Sequence, residues 1–246
     1  MVSKRAVRRI LPFALYSLLF TLFLASCTTQ SLSSTDIVEE VPWTVPESDS
    51  YRVLDDEGEE VGSLEMTVEA SDNGALSMQQ EFDFPDAGFT NSAEVVAGGD
   101  DLQPQSTSFQ ISGPEGDLMC GALYTDGRVL VERVGEDETR SDELEVPAIA
   151  YDSWSDLFLW RTIAFAESYE VEYTDILSCT LDRTQKLGVK LNVDEREEIE
   201  VPAGTFETWR LEIESGGANQ TAWYTTDDDR RLVRYDNGRE VFELVD

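Results

Sequence analysis

Most of the chain alternates between apolar and polar positions, as a strand with one buried face does. In "EVGSLEMTVEA", residues 60–70, the apolar residues Leu64, Met66 and Val68 stand at every second position, which predicts a half-buried strand. A second alternating run, "LSMQQEFDF", follows after "SDNGA". Asn and Gly favour the positive φ angles of a tight hairpin turn, so Asn73-Gly74 predicts that the two strands pair antiparallel.

The same arrangement of two strands around a turn recurs later in the chain. Asp126-Gly127 separates "CGALYT" from "RVLVERV", and Asn237-Gly238 separates "RRLVRYD" from "REVFELV". Short alternating runs bounded by turn residues are typical of an antiparallel meander, here with about nine to eleven strands. The pattern therefore predicts a mainly β protein.

One segment, "YDSWSDLFLWRTIAFAESY" at residues 151–169, departs from the alternation. Ser153 and Asp156 have the spacing of a capping box at a helix start. Four residues follow at helical spacing, Trp154, Leu157, Phe158 and Arg161. We therefore predict one short helix that packs on or across the sheet. In this apolar surrounding, Arg161 would either pair with a carboxylate or extend its charged end to water.

The N-terminal residues have the order of an export signal. Lys4, Arg5, Arg8 and Arg9 precede an apolar run at residues 10–25, shorter than the roughly 20 residues that a spanning helix needs. Leu24-Ala25-Ser26-Cys27 then resembles the lipobox of bacterial prolipoproteins. The resemblance implies transfer of diacylglycerol to the Cys27 thiol and cleavage before Cys27. The alternative is an uncleaved signal-anchor with an incidental cysteine.

These features divide the chain into three predicted parts. Residues 1–26 are a lipoprotein signal peptide, residues 27–50 a lipidated cysteine with a flexible tether, and residues 51–246 a single β-rich domain. The tether is predicted from its Ser, Thr, Pro and acidic residues. We expect a lipid-anchored protein of the bacterial cell envelope, with its domain facing the periplasm or the outside.

Composition excludes several kinds of chemistry. The 246 residues contain no histidine, which excludes Ser-His-Asp and Cys-His catalysis and the usual zinc sites. The net charge of −33 repels nucleic acid. The acidic runs at Asp100-Asp101 and 227–229 do not match a calcium-binding loop. We therefore predict no catalytic residue, no metal and no cofactor.

Cys120 and Cys179 are the two cysteines that follow Cys27. In an oxidising compartment they could form one disulfide. Two separate buried thiols are the other interpretation, because free cysteine is often buried. Their spacing does not decide between the two.

The C-terminal third carries a family resemblance. "EEIEVPAGTFETWRLEIE" at residues 197–214 and "TAWYTTDDDRRLVRYDNGREVFELV" at residues 221–245 resemble the bacterial envelope family called domain of unknown function 3108. The resemblance extends over roughly residues 50–246 and implies a curled antiparallel sheet, an incomplete β-barrel partly closed by helix. That shape is similar to the periplasmic carriers of lipoproteins. The family has no established catalytic residues, so the resemblance assigns none here.

Three functions remain open at this level. The first is a non-enzymatic carrier, anchored to the membrane by lipid on Cys27, that binds a lipid or a hydrophobic peptide in the half-barrel. Its predicted lining consists of aromatic residues, Trp154, Phe158, Trp160, Phe165, Trp209 and Trp223. The second is a structural or interaction lipoprotein without a small ligand. The third, and least favoured, is a carboxylate-based hydrolase, which would need two paired acids. The oligomeric state is left open.

Overall fold

The computed structural model describes residues 35–114, 116–136, 138–180 and 183–246. Within them, fifteen strands join in one sheet, which confirms the mainly β class and exceeds the about nine to eleven strands expected from the turns. In chain order the strands are β1 (Glu47–Leu54), β2 (Glu60–Ala70), β3 (Ala75–Phe84), β4 (Phe89–Gly98), β5 (Pro104–Gly113), β6 (Gly116–Thr125), β7 (Arg128–Val134), β8 (Thr139–Glu145), β9 (Tyr151–Asp152), β10 (Glu170–Leu177), β11 (Gln185–Val201), β12 (Gly204–Ser215), β13 (Ala218–Thr225), β14 (Leu232–Asp236) and β15 (Val241–Leu244).

The sheet runs in the order β8-β7-β6-β5-β4-β3-β2-β1-β15-β14-β13-β12-β11-β10-β9. Neighbouring strands pair antiparallel except β9 and β10, which pair parallel. β1 pairs with both β2 and β15, so the first and last strands lie side by side in the middle of the sheet. β8 and β9 are its two edges.

The sheet is curled, because chain segments near its two edges meet. Cys120 in β6 is bonded to Cys179, just after β10, and Thr107 in β5 donates a hydrogen bond to Asp152 in β9. These strands lie far apart in the strand order but close in space. The edges contact each other through side chains rather than strand pairing. This confirms the predicted incomplete barrel.

Hairpin turns form where Asn-Gly and Asp-Gly predicted them. Asn73 and Gly74 have φ angles of 57° and 79°, and Asp126 and Gly127 have 48° and 74°, the left-handed values that such turns require. At the third site, Gly238 has a φ of 83° and belongs to a longer connection between β14 and β15. The alternation in β2 also holds, since Leu64, Met66 and Val68 are buried.

The predicted helix is short and lies in the interior. α1 (Asp156–Leu159) is flanked by the 3₁₀ turns Ser153–Ser155 and Trp160–Thr162. The expected capping role of Ser153 is wrong, because the helical turns begin one residue earlier than the pattern indicated. The Asp152 carboxylate therefore accepts the hydrogen bond from the Trp154 backbone N–H at 3.0 Å.

The packed domain begins before residue 51, which corrects the expected tether over its described part. Ile37 and Trp43 are buried in the core, and β1 begins at Glu47. The Ile37 backbone N–H donates to the Tyr151 hydroxyl at 3.3 Å, and that of Glu39 donates to the Thr162 carbonyl at 2.9 Å. A Pro- and Ser-rich composition indicated flexibility, but the apolar residues within the segment pack it against the core.

Arg161 takes the first of its two predicted roles. Its buried guanidinium pairs with the Glu47 carboxylate and donates to the carbonyls of Asp229 and Arg230 at 2.7 and 2.9 Å. The Trp43 ring lies 5.1 Å from the guanidinium carbon. Arg161 therefore joins the helix, β1 and the β13–β14 connection, and all of its interactions are structural.

Candidate functional site: an interior cavity beside a closed seam

The predicted lipid attachment lies outside the described residues. Leu24, Ala25, Ser26 and Cys27 all precede residue 35, as does the predicted signal peptide. Over the part of the chain that is described, no helix has the length and apolarity to cross a membrane. Attachment of lipid to Cys27 therefore stays a prediction.

A covalent bond and a buried arginine close the seam between the two edges of the sheet. Cys120 and Cys179 form a disulfide with Cα atoms 5.7 Å apart, so the structure has the paired form of the two alternatives. Beside it, the buried Arg133 guanidinium of β7 donates to the carbonyls of Thr180 and Ser178 at 2.7 and 2.8 Å. Asp142 pairs with the same guanidinium at 2.6 Å. The seam is thus held by side chains from both edges.

Asp152 is the centre of a fully satisfied polar cluster in this seam. Its Oδ2 atom accepts hydrogen bonds from the hydroxyls of Thr107, Tyr124 and Ser178, each at 2.6 Å. Burial raises the pKa of the Asp152 carboxyl, and the three hydroxyl donors act in the opposite direction. Every donor is fixed by a strand or by the disulfide-linked segment, which makes the cluster a structural joint.

An interior cavity of about 510 Å³ lies between the helix and one end of the curled sheet. Aromatic side chains form most of its apolar wall, Phe82, Phe84, Phe89, Trp154, Trp160, Tyr235 and Phe242. Phe84 and Phe89 stack with centroids 4.5 Å apart, and Phe82 meets Phe242 edge to face at 5.6 Å. Ligand pockets typically span about 300–1,000 Å³ and are lined by such residues.

The polar part of the cavity wall is incompletely hydrogen-bonded. Asp175 Oδ1, Ser153 Oγ and Asn91 Oδ1 are buried atoms without a hydrogen-bond partner in the described chain, and all three residues border the cavity. Asp156, also at the cavity, accepts from the Tyr173 hydroxyl at 2.7 Å. Tyr173 in turn accepts from the Trp160 indole N–H at 2.8 Å.

The two carboxyl groups at the cavity have raised pKa values. Burial, together with the nearby carboxyl groups of Asp156 and Asp152, raises the pKa of Asp175 well above its usual range. Burial likewise raises the pKa of Asp156, against the hydrogen bond from Tyr173. No cation acts on either group among the described residues that contribute to these shifts, so their shared environment is acidic.

Two of the six predicted lining residues border this cavity. They are Trp154 and Trp160; Phe158, adjacent in the helix, is buried in the main core. Phe165 stacks on Trp209 at 6.4 Å, away from the cavity wall. Trp223 lies over Arg234 and donates its indole N–H to Glu197. The structure therefore does not gather the six aromatic residues into one lining.

The acidic runs considered for calcium form turns. Asp101 Oδ1 accepts from the Gln103 backbone N–H at 3.1 Å, and Asp227 Oδ1 accepts from the Thr225 hydroxyl at 2.5 Å. The described residues contain no group of three or more Cys, Asp or Glu side chains positioned to hold a metal ion. The carboxylates of Asp101 and Asp227 thus stabilise their own turns.

Comparison with known families identifies the domain. The family model for the protein of unknown function DUF3108 matches residues 50–241. The chain belongs to the DUF3108 family. No curated protein matches it.

A solved structure supports the architecture of this DUF3108 domain. The β-barrel-like protein of domain of unknown function DUF1849 from Brucella abortus is similar in fold, with a TM-score of 0.57 and 12% identity over 82% of this chain and 96% of that chain. A Parabacteroides distasonis protein described as a lipoprotein has 10% identity over 86% of this chain and 99% of that chain, with a TM-score of 0.31. The latter score carries no structural argument.

Sequence reasoning missed the polar residues of the DUF3108 cavity. Asp175 stands in "VEYTDIL", where alternation puts it on the same face as Tyr173 and Leu177. An acid at an inward position of an apolar strand was the available signal. No signal in the sequence identified Asn91 or Ser153, because their role depends on how the sheet curls and brings β4 to the helix.

Proposed function

We propose that this DUF3108 domain is a non-enzymatic binding module of the bacterial cell envelope that holds a hydrophobic ligand in its interior cavity. An acyl chain or an apolar peptide segment would fit this description. The aromatic-walled cavity of about 510 Å³ carries the proposal. Aromatic walls supply apolar contact area with few rotatable bonds, and the ordering cost of binding is therefore small.

The interior cavity is a better candidate than the larger groove on the outward face of β4–β8. That groove has a volume of about 720 Å³, but no aromatic residue lines it. Leu123 and Leu130 are exposed there, and Glu94, Glu132 and Glu143 surround them. The cavity offers aromatic contact area, whereas the groove offers two exposed leucines among acidic side chains. Contact with aromatic side chains buries more apolar surface of a ligand.

An envelope location and a lipid anchor belong to the same proposal. The disulfide between Cys120 and Cys179 favours an oxidising compartment, since disulfides rarely persist in the cytosol. Lipid on Cys27 would hold the module at a membrane surface, where two or three acyl chains give stable anchoring. Metabolic labelling with an alkyne fatty acid tests this. Label should appear on the wild-type chain and be lost in Cys27→Ala; equal labelling of both would overturn the anchor.

The binding proposal is tested on residues 28–246, exported behind a cleavable signal so that the disulfide forms without the lipid. Native mass spectrometry and organic extraction should recover a bound amphiphile. Ser215→Trp places a large ring at the cavity wall and should abolish that recovery. Ser108→Trp, on the outward groove, is the matched control and should retain it. A bare mass with empty extracts from every variant would instead favour a scaffold or interaction lipoprotein.

A carboxylate-based hydrolase is the second candidate, because Asp156 and Asp175 border one cavity. Such enzymes need one carboxyl as acid and the other ionised as base or nucleophile. Here both pKa values are raised, and we therefore favour binding. A panel of nitrophenyl glycosides separates the two: turnover by the wild type that Asp156→Asn and Asp175→Asn both abolish would establish the hydrolase.

A further inference from the structure

The polar end of the cavity contains buried polar atoms without hydrogen-bond partners in the described chain. Asp175 is 1% exposed, and its Oδ1 atom has no hydrogen-bond partner in the described chain. Asn91 Oδ1 and Ser153 Oγ at the same cavity also lack one. A buried polar group without a partner costs about 1–3 kcal/mol. Three such atoms around one cavity indicate that their hydrogen-bond partners come from a molecule that occupies the cavity.

The neighbouring carboxyl groups show that this arrangement is specific to Asp175. Asp152 has three hydroxyl donors and a backbone N–H, and Asp156 has the hydroxyl of Tyr173. Tyr173 and Asp175 are both buried residues of β10. A side-chain hydroxyl donates to Asp156, whereas Asp175 has a backbone hydrogen bond from Ile176 and an Oδ1 atom without a partner in the described chain. The fold satisfies the acids that join its elements and leaves the cavity-facing oxygen unpaired.

We propose that Asp175, with Asn91 and Ser153, forms a head-group subsite for a hydrogen-bond donor, and that the ligand is an amphiphile whose apolar body ends in a hydroxyl or an amine. This rests on the proposed function, since it assigns the polar end of the same cavity. The aromatic wall holds the apolar body. The donor at its end forms the hydrogen bond that Asp175 Oδ1 lacks.

The subsite discriminates against anionic heads. A carboxylate or phosphate presents acceptors, which would face the unpaired oxygens of Asp175 and Asn91 at close range. Asp156 adds a second carboxyl group at the cavity, and the chain has a net charge of −33. The acidic charge of the chain disfavours an anionic head, so fatty acids and phospholipid phosphates should bind more weakly at this position than alcohols or amines.

Calorimetry with four probes of one chain length tests the head group: decan-1-ol, decylamine, decyl methyl ether and decanoate, each below its aggregation concentration. The alcohol and the amine should bind residues 28–246 at least about tenfold more tightly than the ether and the carboxylate, as one hydrogen bond predicts. Asp175→Leu should reduce that difference to within about twofold. Asp83→Asn, on the outward face of β3, is the matched charge control and should retain it.

The outcomes separate this inference from the proposed function. Equal binding of all four probes would overturn the head-group subsite while leaving an apolar binding module. Binding of none would overturn both. Asp175→Asn is the second variant if Asp175→Leu does not fold. It keeps an acceptor oxygen, so retained binding of the alcohol supports the subsite, and its loss would overturn it. If decylamine binds best, the donor of the ligand is an amine. If decan-1-ol binds best, the donor is a hydroxyl.

Discussion

Asp152 in β9 and Asp175 in β10 lie on adjacent strands at the same edge of the sheet, and the protein completes the hydrogen bonds of only one. The Asp152 carboxylate accepts from three hydroxyls and a backbone N–H, whereas Asp175 Oδ1 has no partner in the described chain. Asp152 faces the seam, and Asp175 faces the cavity. A satisfied polar cluster fixes a structure, while an unsatisfied one at a cavity is available to a ligand.

Removing the disulfide should have the largest effect on the seam side of this comparison. The bond joins residues 59 positions apart, and closing a loop of that length restricts the unfolded chain by about 4 kcal/mol. Cys120→Ala with Cys179→Ala should lower the free energy of unfolding in urea by roughly that amount.

Hydrogen exchange would locate that effect. Protection should fall in β5–β7 and β9–β10, and strands β12–β14 should retain theirs. Reductant should destabilise the wild type and leave the double variant unchanged. A loss below about 1 kcal/mol would mean that Arg133 and Asp152 hold the seam without the bond.

Isosteric substitution of the two acids makes the comparison direct. Asp152→Asn replaces one acceptor oxygen with a donor beside Thr107, Tyr124 and Ser178, and should lower the free energy of unfolding by about 2 kcal/mol. Asp175→Asn removes a buried carboxyl group that has no partner at Oδ1 and should leave stability within about 1 kcal/mol of wild type or raise it. Urea titration of both at one pH measures the difference. Equal losses would show that Asp175 is a structural group like Asp152.

The sequence predicted the features that depend on neighbouring residues. The hairpins at Asn73-Gly74 and Asp126-Gly127 and the alternation of β2 follow from local φ preference and side-chain direction, and all three formed. The helix also formed, but its cap moved to Asp152, because the preceding strand ends where its carboxylate reaches the first turn. Boundaries of this kind depend on the neighbouring element.

The cavity could not be predicted in the same way. Thr174 and Ile176 are buried together with Tyr173 and Asp175, because β10 is covered on both faces, so alternation cannot tell which face meets the cavity. Trp154 and Trp160 were identified as lining and border it, but Phe89 and Asn91 arrive from β4. That meeting depends on the curl of the sheet. Pairings between distant strands leave no local signal.

The smallest predicted effect is a pH dependence of stability that arises from Asp175. The titratable groups that act on Asp175 among the described residues are Asp156, Asp152, Tyr173 and Tyr124. The pKa of Asp175 lies well above its unfolded value near 3.8, so the folded chain holds a proton that the unfolded chain releases. The contribution of Asp175 to the free energy of unfolding is then fully present below about pH 4 and is lost as the pH rises through the folded pKa.

Asp175→Asn removes this contribution, because asparagine does not titrate. The free energy of unfolding of Asp175→Asn should therefore rise relative to that of the wild type as the pH is raised from about 4 towards neutrality. Urea titrations of both proteins across that range measure the gap. Asp83→Asn, the same substitution on the exposed face of β3, should give a curve parallel to wild type. If Asp175→Asn is also parallel to wild type, the pKa of Asp175 is not raised in the folded protein.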